Sequence, residues 1–202
     1  MAQDSKTEAN ARTPDQALAG LSDAANFGAR GPAPVHLWNP PYCGEIDMRI
    51  AADGTWYYCG SPIGRPALVK LFSSILRKDP ERYVLVTPVE CVGIRVDDAP
   101  FLAVEMGVEG EGAEQRLSFR TQVGDAVEAG AEHPLRFETG PSNGVKPYVR
   151  VRGELWALVK RALFYDLVAL GDIDAHEGED WFGVRSAGIF FPMRRASEIE
   201  GL

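Results

Sequence analysis

From Glu45 onward apolar and polar residues alternate. In EIDMRIAADGTWYYCG two runs of period two flank Asp53-Gly54, a dipeptide that tolerates the positive φ values of a tight hairpin turn. With Asp53 and Gly54 as the two central turn residues, Ile50 faces Tyr57 and Met48 faces Cys59. Ile46, Met48, Ile50, Tyr57 and Cys59 then share the core face, and Asp47, Arg49, Trp56 and Tyr58 share the other. Cys43 has no place across from Cys59 in this register, so no hairpin disulfide is expected.

Downstream, GSPIGRPALVKLFSSILRKDP puts Leu68, Leu71, Phe72, Ile75 and Leu76 on one helical stripe that opens at a proline and stops before Pro80. RYVLVTP, ECVGIRVDDAP, FLAVEMGVE and QRLSFRTQVG read as strands, and LRFET as a weaker one. Turns at 97–100 and 110–112 separate them into an antiparallel meander. In PYVRVRGELWALVK, Tyr148, Arg150 and Arg152 alternate with Val149 and Val151. Leu155, Leu158, Val159, Ala162, Leu163 and Leu167 then recur at helical spacing up to Gly171, so a strand is expected to feed one long helix. WFGVRSAGIFFP reads as a final strand or pair of short strands. Residues 1–32 read as a tail, with helical spacing only in PDQALAGLSDAANF.

Ala67-Leu68-Val69-Lys70 of the first helix recurs as Ala157-Leu158-Val159-Lys160. Four identities also arise by chance in helices of this composition. The shared order of strand, helix and strand is the better argument for two similar halves. The expected architecture is α+β, with an antiparallel sheet and a helix in each half: a tail or short helix over 1–32, a first half over 33–95 and a second over 96–202.

Composition narrows the function classes. With 45% hydrophobic residues in 202 the chain can bury a substantial core, and 21 glycines and 14 prolines suit a turn-rich protein with short strands. A net charge of −8 argues against general nucleic-acid binding, which needs a basic face. No window approaches the roughly 18 to 20 apolar residues of a membrane span, and the N-terminal residues lack the apolar stretch of a secretion signal. Three cysteines are too few, and odd in number, for a disulfide framework. A cytoplasmic protein is therefore expected.

Against that acidic background, residues 146–161 hold Lys146, Arg150, Arg152, Lys160 and Arg161 against Glu154 alone. Arginine presents a fixed fork of donors that matches phosphate or carboxylate, and Tyr148 on the same strand face can stack or donate its hydroxyl. The competing reading is that these arginines pair with carboxylates of neighbouring strands. Arg49, Trp56 and Tyr58 form a candidate second wall, unless a helix covers that face. Ser61 and Arg65 precede the first helix, where an anion is favoured but a helix cap is the simpler account. Asp97-Asp98 fits turn chemistry, and Asp166, near the apolar stripe of the second helix, is expected to bond an arginine across an interface.

No zinc spacing joins His36, His133, His176 and the cysteines. DIDAHEGEDWFG has Glu177 where a calcium loop needs glycine, and GPSNGVK and GVEGEG miss the phosphate-loop and dinucleotide patterns. Ser186 is not in a nucleophile elbow. No cofactor is expected and no enzyme class is indicated. A hydrolase or transferase built on Glu90 or Asp166 is the remaining catalytic alternative.

The phrases DGTWYYCGSPIGRPALVKLFSSILRKD, YVLVTPVECVGIRVDDAPFLAVEM and KPYVRVRGELWALVKRALFYDLV resemble, in order, the bacterial domain of unknown function 1285 family, over residues 35–193. The resemblance implies a two-part α+β fold with a repeated motif and a second half superficially like pleckstrin-homology domains. It also implies a ligand site between the halves for a nucleotide-like molecule and a role in signal transduction. It brings no catalytic motif. The functional expectation is a small anionic, nucleotide-like ligand clamped by Lys146, Arg150 and Arg152, with Trp56 and Tyr148 as stacking surface and Arg49 and Arg65 nearby. Alanine at Arg150 and Arg152 should then abolish binding and leave the fold intact. The alternative is a protein-interaction module that holds a partner through an open sheet edge or aromatic surface and takes no small molecule.

Overall fold

The structure is a computed structural model that describes residues 33–140 and 144–199. The helical spacing in PDQALAGLSDAANF lies outside the described residues. The first half contains β1 (Tyr42–Ile50), β2 (Trp56–Tyr58), β3 (Ser61–Pro62), α1 (Pro66–Ser74), β4 (Leu76–Asp79), β5 (Arg82–Val86) and β6 (Cys91–Val96). The second contains β7 (Phe101–Glu109), β8 (Arg116–Thr121), β9 (Ala126–Glu128), β10 (Leu135–Thr139), β11 (Val145–Arg152), β12 (Leu155–Val159) and α2 (Arg161–Ala169). A three-stranded sheet of β13 (Asp172–His176), β14 (Glu179–Ser186) and β15 (Ile189–Arg195), then a short helix α3 (Ala196–Ile199), complete it.

The two six-stranded sheets follow the same path. The first runs β3-β2-β1-β6-β5-β4 and the second, read from its β9 edge, β9-β8-β7-β12-β11-β10, so each half places its strands in the order 3-2-1-6-5-4. In each, the first and last strands pair parallel at the centre, β1 with β6 and β7 with β12, and the other pairs are antiparallel. The sheets are thus mixed, where the sequence predicts antiparallel ones. A central parallel pair requires the chain to cross to the opposite edge between its third and fourth strands. In the first half that crossing carries α1. In the second it is a short loop, and the helix follows the last strand instead.

The tetrapeptide echo does not mark the repeat. Ala67 to Lys70 lie in α1, whereas Ala157 to Val159 end strand β12 and Lys160 caps α2. The long helix predicted from Leu155 is a hairpin strand followed by a nine-residue helix. Gly153, at φ +49°, turns the chain back, and Leu155, Ala157 and Val159 are buried while Trp156 and Leu158 face the other side. LWALV is apolar throughout, and over so few residues periods of 2 and 3.6 cannot be separated.

The first hairpin forms, with a register one residue away from the expected one. Ile50 pairs with Trp56, Arg49 with Tyr57 and Met48 with Tyr58. The Ala51 N–H donates to the Thr55 carbonyl at 2.9 Å, and the Asp53 carboxylate accepts the Thr55 N–H at 2.9 Å, so the turn takes in Ala51 to Thr55. Since side chains alternate faces, that slip sends Trp56 into the core at 1% exposure and turns Tyr57 outward beneath Arg49, at 4.7 Å. Cys59 is exposed.

The principal core spans both halves, from Ile50, Trp56, Phe72 and Ile75 to Phe101, Phe119, Val149 and Leu167. Strand β8 shows how the sequence builds it: Leu117, Phe119 and Thr121 point in, and Arg116, Ser118 and Arg120 point out. Ser186, fully buried, fixes the third sheet to the second by accepting the Leu117 N–H at 2.9 Å and donating to the Ala129 carbonyl at 2.7 Å. Among the described residues no helix is long and apolar enough to cross a membrane.

Candidate functional site

Strand β11 turns Val149 and Val151 to the core and Lys146, Tyr148 and Arg150 to its other face, where Tyr148 is also buried; a bulge after Arg150 sets Arg152 opposite Leu155, on the core side. Pairing extends that face sideways. Arg136 of β10 lies opposite Tyr148 and Glu138 opposite Lys146, while Trp156 of β12 lies opposite Arg150. The Arg136 guanidinium sits 4.2 Å over the Trp156 ring and 5.2 Å from the centre of the Tyr148 ring. Its ion pair with Glu138, at 3.0 Å, joins side chains 45% and 47% exposed, so solvent screens it and the contact is weakly held.

In the first half, Tyr83 of β5 lies within the field of this face. Burial raises the Tyr83 hydroxyl above its ordinary value, and the charges of Arg136 and Asp98 both act on it, in opposite senses. Lys78 lies 4.5 Å over the same ring. Between the halves, the two aspartates of the β6–β7 turn divide their partners. Asp97 accepts from Arg49 at 2.7 Å, and Asp98 accepts from Lys146 at 2.6 Å and from the Tyr148 hydroxyl at 2.7 Å. Burial, then the hydrogen bond to Asp98, pushes Tyr148 well above the usual tyrosine range, so it stays a neutral donor. Tyr148→Phe removes that donor while Lys146 still neutralises Asp98. It is expected to cost about 1–2 kcal/mol in urea unfolding.

The structure brings Lys146, Tyr148 and Arg150 together and adds Arg136, Trp156, Tyr83 and Asp98, which the sequence reading did not single out for a site. Arg150 donates through Nε and Nη2 to the Glu132 carbonyl, at 3.0 and 2.9 Å, and its Nη1 is 4.0 Å from Glu154. Arg152, expected on the same face, is turned to the core side by the bulge and is engaged there: Nη1 with Asp125 at 2.7 Å, Nη2 with the Ser73 carbonyl of α1 at 2.6 Å. Arg49 belongs to the turn through Asp97. Arg65 is exposed at the start of α1 and makes no side-chain cap. Trp56, buried in the core, does not reach the face, and Asp166 is exposed on α2 where an interface position was expected. Among the described residues no three His, Cys, Asp or Glu side chains gather as a metal site needs.

Comparison with known proteins agrees with the two-part architecture. The family model described as the domain of unknown function (DUF1285), N-terminal domain, matches residues 33–99, and the protein of unknown function (DUF1285), C-terminal domain, matches residues 100–193. The crystal structure of a DUF1285 family protein from Silicibacter pomeroyi DSS-3 is 53% identical, with a TM-score of 0.82 over 89% of this chain and 97% of that one. Another, from Shewanella baltica OS155, is 28% identical over 61% of this chain and 91% of its own, with a TM-score of 0.49. No curated protein matches. Both family domains, in order, and a structural relative spanning most of the sequence place the chain in the DUF1285 family.

Proposed function

We propose that this protein binds a small anionic, nucleotide-like ligand between its halves and serves as a sensor or adaptor in signal transduction. The observation that carries the reading is the half-exposed Arg136 guanidinium 4.2 Å over the Trp156 ring, on one sheet face with Lys146, Tyr148 and Arg150. An arginine over an indole keeps guanidinium donors available to a phosphate or carboxylate, and the partly exposed Trp156 ring offers a stacking edge for a base, a role that the buried Tyr148 cannot fill. Tyr83 and Lys78 bring the first half into the same site, so occupancy and the arrangement of the two halves become linked.

Thermal unfolding against nucleotides, cyclic nucleotides, nucleotide sugars and inorganic phosphate tests this, because a ligand that binds the native state raises the midpoint. One nucleotide class should shift it where phosphate alone does not. Joint replacement of Arg136 and Arg150 by alanine should weaken that ligand about tenfold or more, the loss of a charge-assisted contact. Unchanged affinity in that variant, or a flat panel, defeats the proposal. A flat panel favours the protein-interaction alternative, for which the exposed Tyr165 and Val168 of α2 are the supporting feature.

A further inference from the structure

The first sheet has a second recessed site, on its face opposite Tyr83. Strand register sets Tyr42, Cys91, Val84, Val86, Arg82, Arg77 and Asp79 on that outer face. Val35 and Trp38 of the segment before β1 pack over Val84, Val86 and Cys91. Arg77 ties the segment down through Nη1, which donates to the Val35 and Trp38 carbonyls at 2.9 and 2.6 Å. Between this strap and the sheet lies a cavity of about 410 Å³, lined by Tyr42, Asn39, Arg77, Asp79, Arg82 and Cys91 among others. That volume falls within the roughly 300–1,000 Å³ of small-molecule sites.

The charges in the lining are not equivalent. Arg77 is spent, because Nε and Nη2 grip the Asp79 carboxylate at 2.7 and 3.1 Å, so that pair is a neutral wall. Arg82 is held differently. Its guanidinium lies 4.6 Å over the Tyr42 ring and engages the Tyr42 hydroxyl, and two exposed acids act on it through water, Glu81, 3.7 Å away with a side chain 85% exposed, and Glu45. Gly93 makes the arrangement possible, since a Cβ there would come 2.6 Å from the Tyr42 hydroxyl oxygen. Cys91 lies in the lining at 4% exposure, and burial raises its thiol, so this wall is neutral and does not repel an anion.

Within the lining, from which Glu45 and Glu81 are absent, one cation beside a neutral ion pair and a neutral thiol defines a preference by charge. The geometry points to a binding site for a small oxyanion, a phosphate or carboxylate group, held by Arg82 with the Asn39 amide and the Tyr42 hydroxyl beneath the strap. The site is separate from the face between the halves and does not depend on it.

Titration calorimetry on the full chain with inorganic phosphate and with acetate, against sodium chloride at equal ionic strength, tests this and separates the two oxyanions. Phosphate, acetate or both should bind. Arg82→Gln should weaken binding about tenfold or more, as loss of a charge-assisted contact predicts, with an unfolding midpoint near that of the parent because Arg82 is on the surface. The protein with Arg136 and Arg150 both replaced by alanine should retain this binding. No heat above the chloride baseline up to about 20 mM, an affinity too weak for a built site, overturns the inference. So does binding that Arg82→Gln leaves unchanged.

Discussion

Replacing Trp56 by alanine is expected to lower stability by about 3–5 kcal/mol, the range for truncating a large buried aromatic residue. Trp56 is 1% exposed, pairs with Ile50 in the hairpin, and stacks on Phe72 with ring centres 6.1 Å apart and planes 20° apart. Truncation would separate the hairpin from α1 and leave a cavity that neither element can collapse to fill. Trp56→Phe should cost less, about 1–2 kcal/mol, because the indole Nε1 has no hydrogen-bond partner and nothing polar is lost beyond volume. Urea or guanidinium unfolding reads both as shifts of midpoint at nearly constant slope. A Trp56→Ala protein of parental stability that fails to bind ligand would restore the register the sequence suggested, with Trp56 on the outer face.

That register shows where sequence reading succeeds and where it stops. A hairpin at Asp53-Gly54 is written in the alternation around it, but its phase depends on the Asp53 carboxylate capturing the Thr55 N–H, in a turn that also takes in Ala51, Ala52 and Thr55. One residue of phase then decides whether an indole is core or ligand surface. Helix α1 is legible at its start, where a proline and an apolar stripe agree, but it ends at Ser74. Leu76 to Asp79, read as its last turn before Pro80, form strand β4, and LRKD carries no period that separates the two. LWALV carries no such agreement, and misreading it as helix hides Trp156 from the candidate site. Tyr148 and Arg150 are visible as one face because they alternate within a single strand, whereas the bulge that turns Arg152 to the core side leaves no mark in that alternation. Arg136 and Asp98 are not, since only strand pairing sets Arg136 against Tyr148, and Asp98 meets Tyr148 from 50 positions away. The repeated strand order is likewise invisible, because it is a property of pairing and leaves the second helix at a different point of the chain.

Arg152→Ala is expected to cost about 2–4 kcal/mol, between the values for a solvated ion pair and for breaking a buried one. The side chain is 21% exposed and that of Asp125 is 26% exposed, so neither is free in water nor fully withdrawn from it. Arg152 joins the halves: its hydrogen bonds reach Asp125 in one and the Ser73 carbonyl in the other, and its guanidinium lies 4.9 Å from the centre of the buried Phe101 ring. Alanine forfeits both charge-assisted bonds and strands the Asp125 carboxylate without its cation. For a domain of this size the loss corresponds to a fall of about 4–16 °C in the unfolding midpoint. A double-mutant cycle with Asp125→Ala should recover part of it, since the second change removes the stranded charge. Arg150→Ala, by contrast, releases donors that reach the Glu132 carbonyl and, at 4.0 Å, the solvated Glu154 carboxylate near the surface, and should cost under about 1 kcal/mol. On these contacts, alanine at Arg150 is expected to leave the fold intact and alanine at Arg152 to weaken it. Arg150→Ala isolates the ligand contact, and Arg152→Ala reports on the joint. Parental stability for Arg152→Ala, with ligand binding lost, would instead assign this arginine to the ligand.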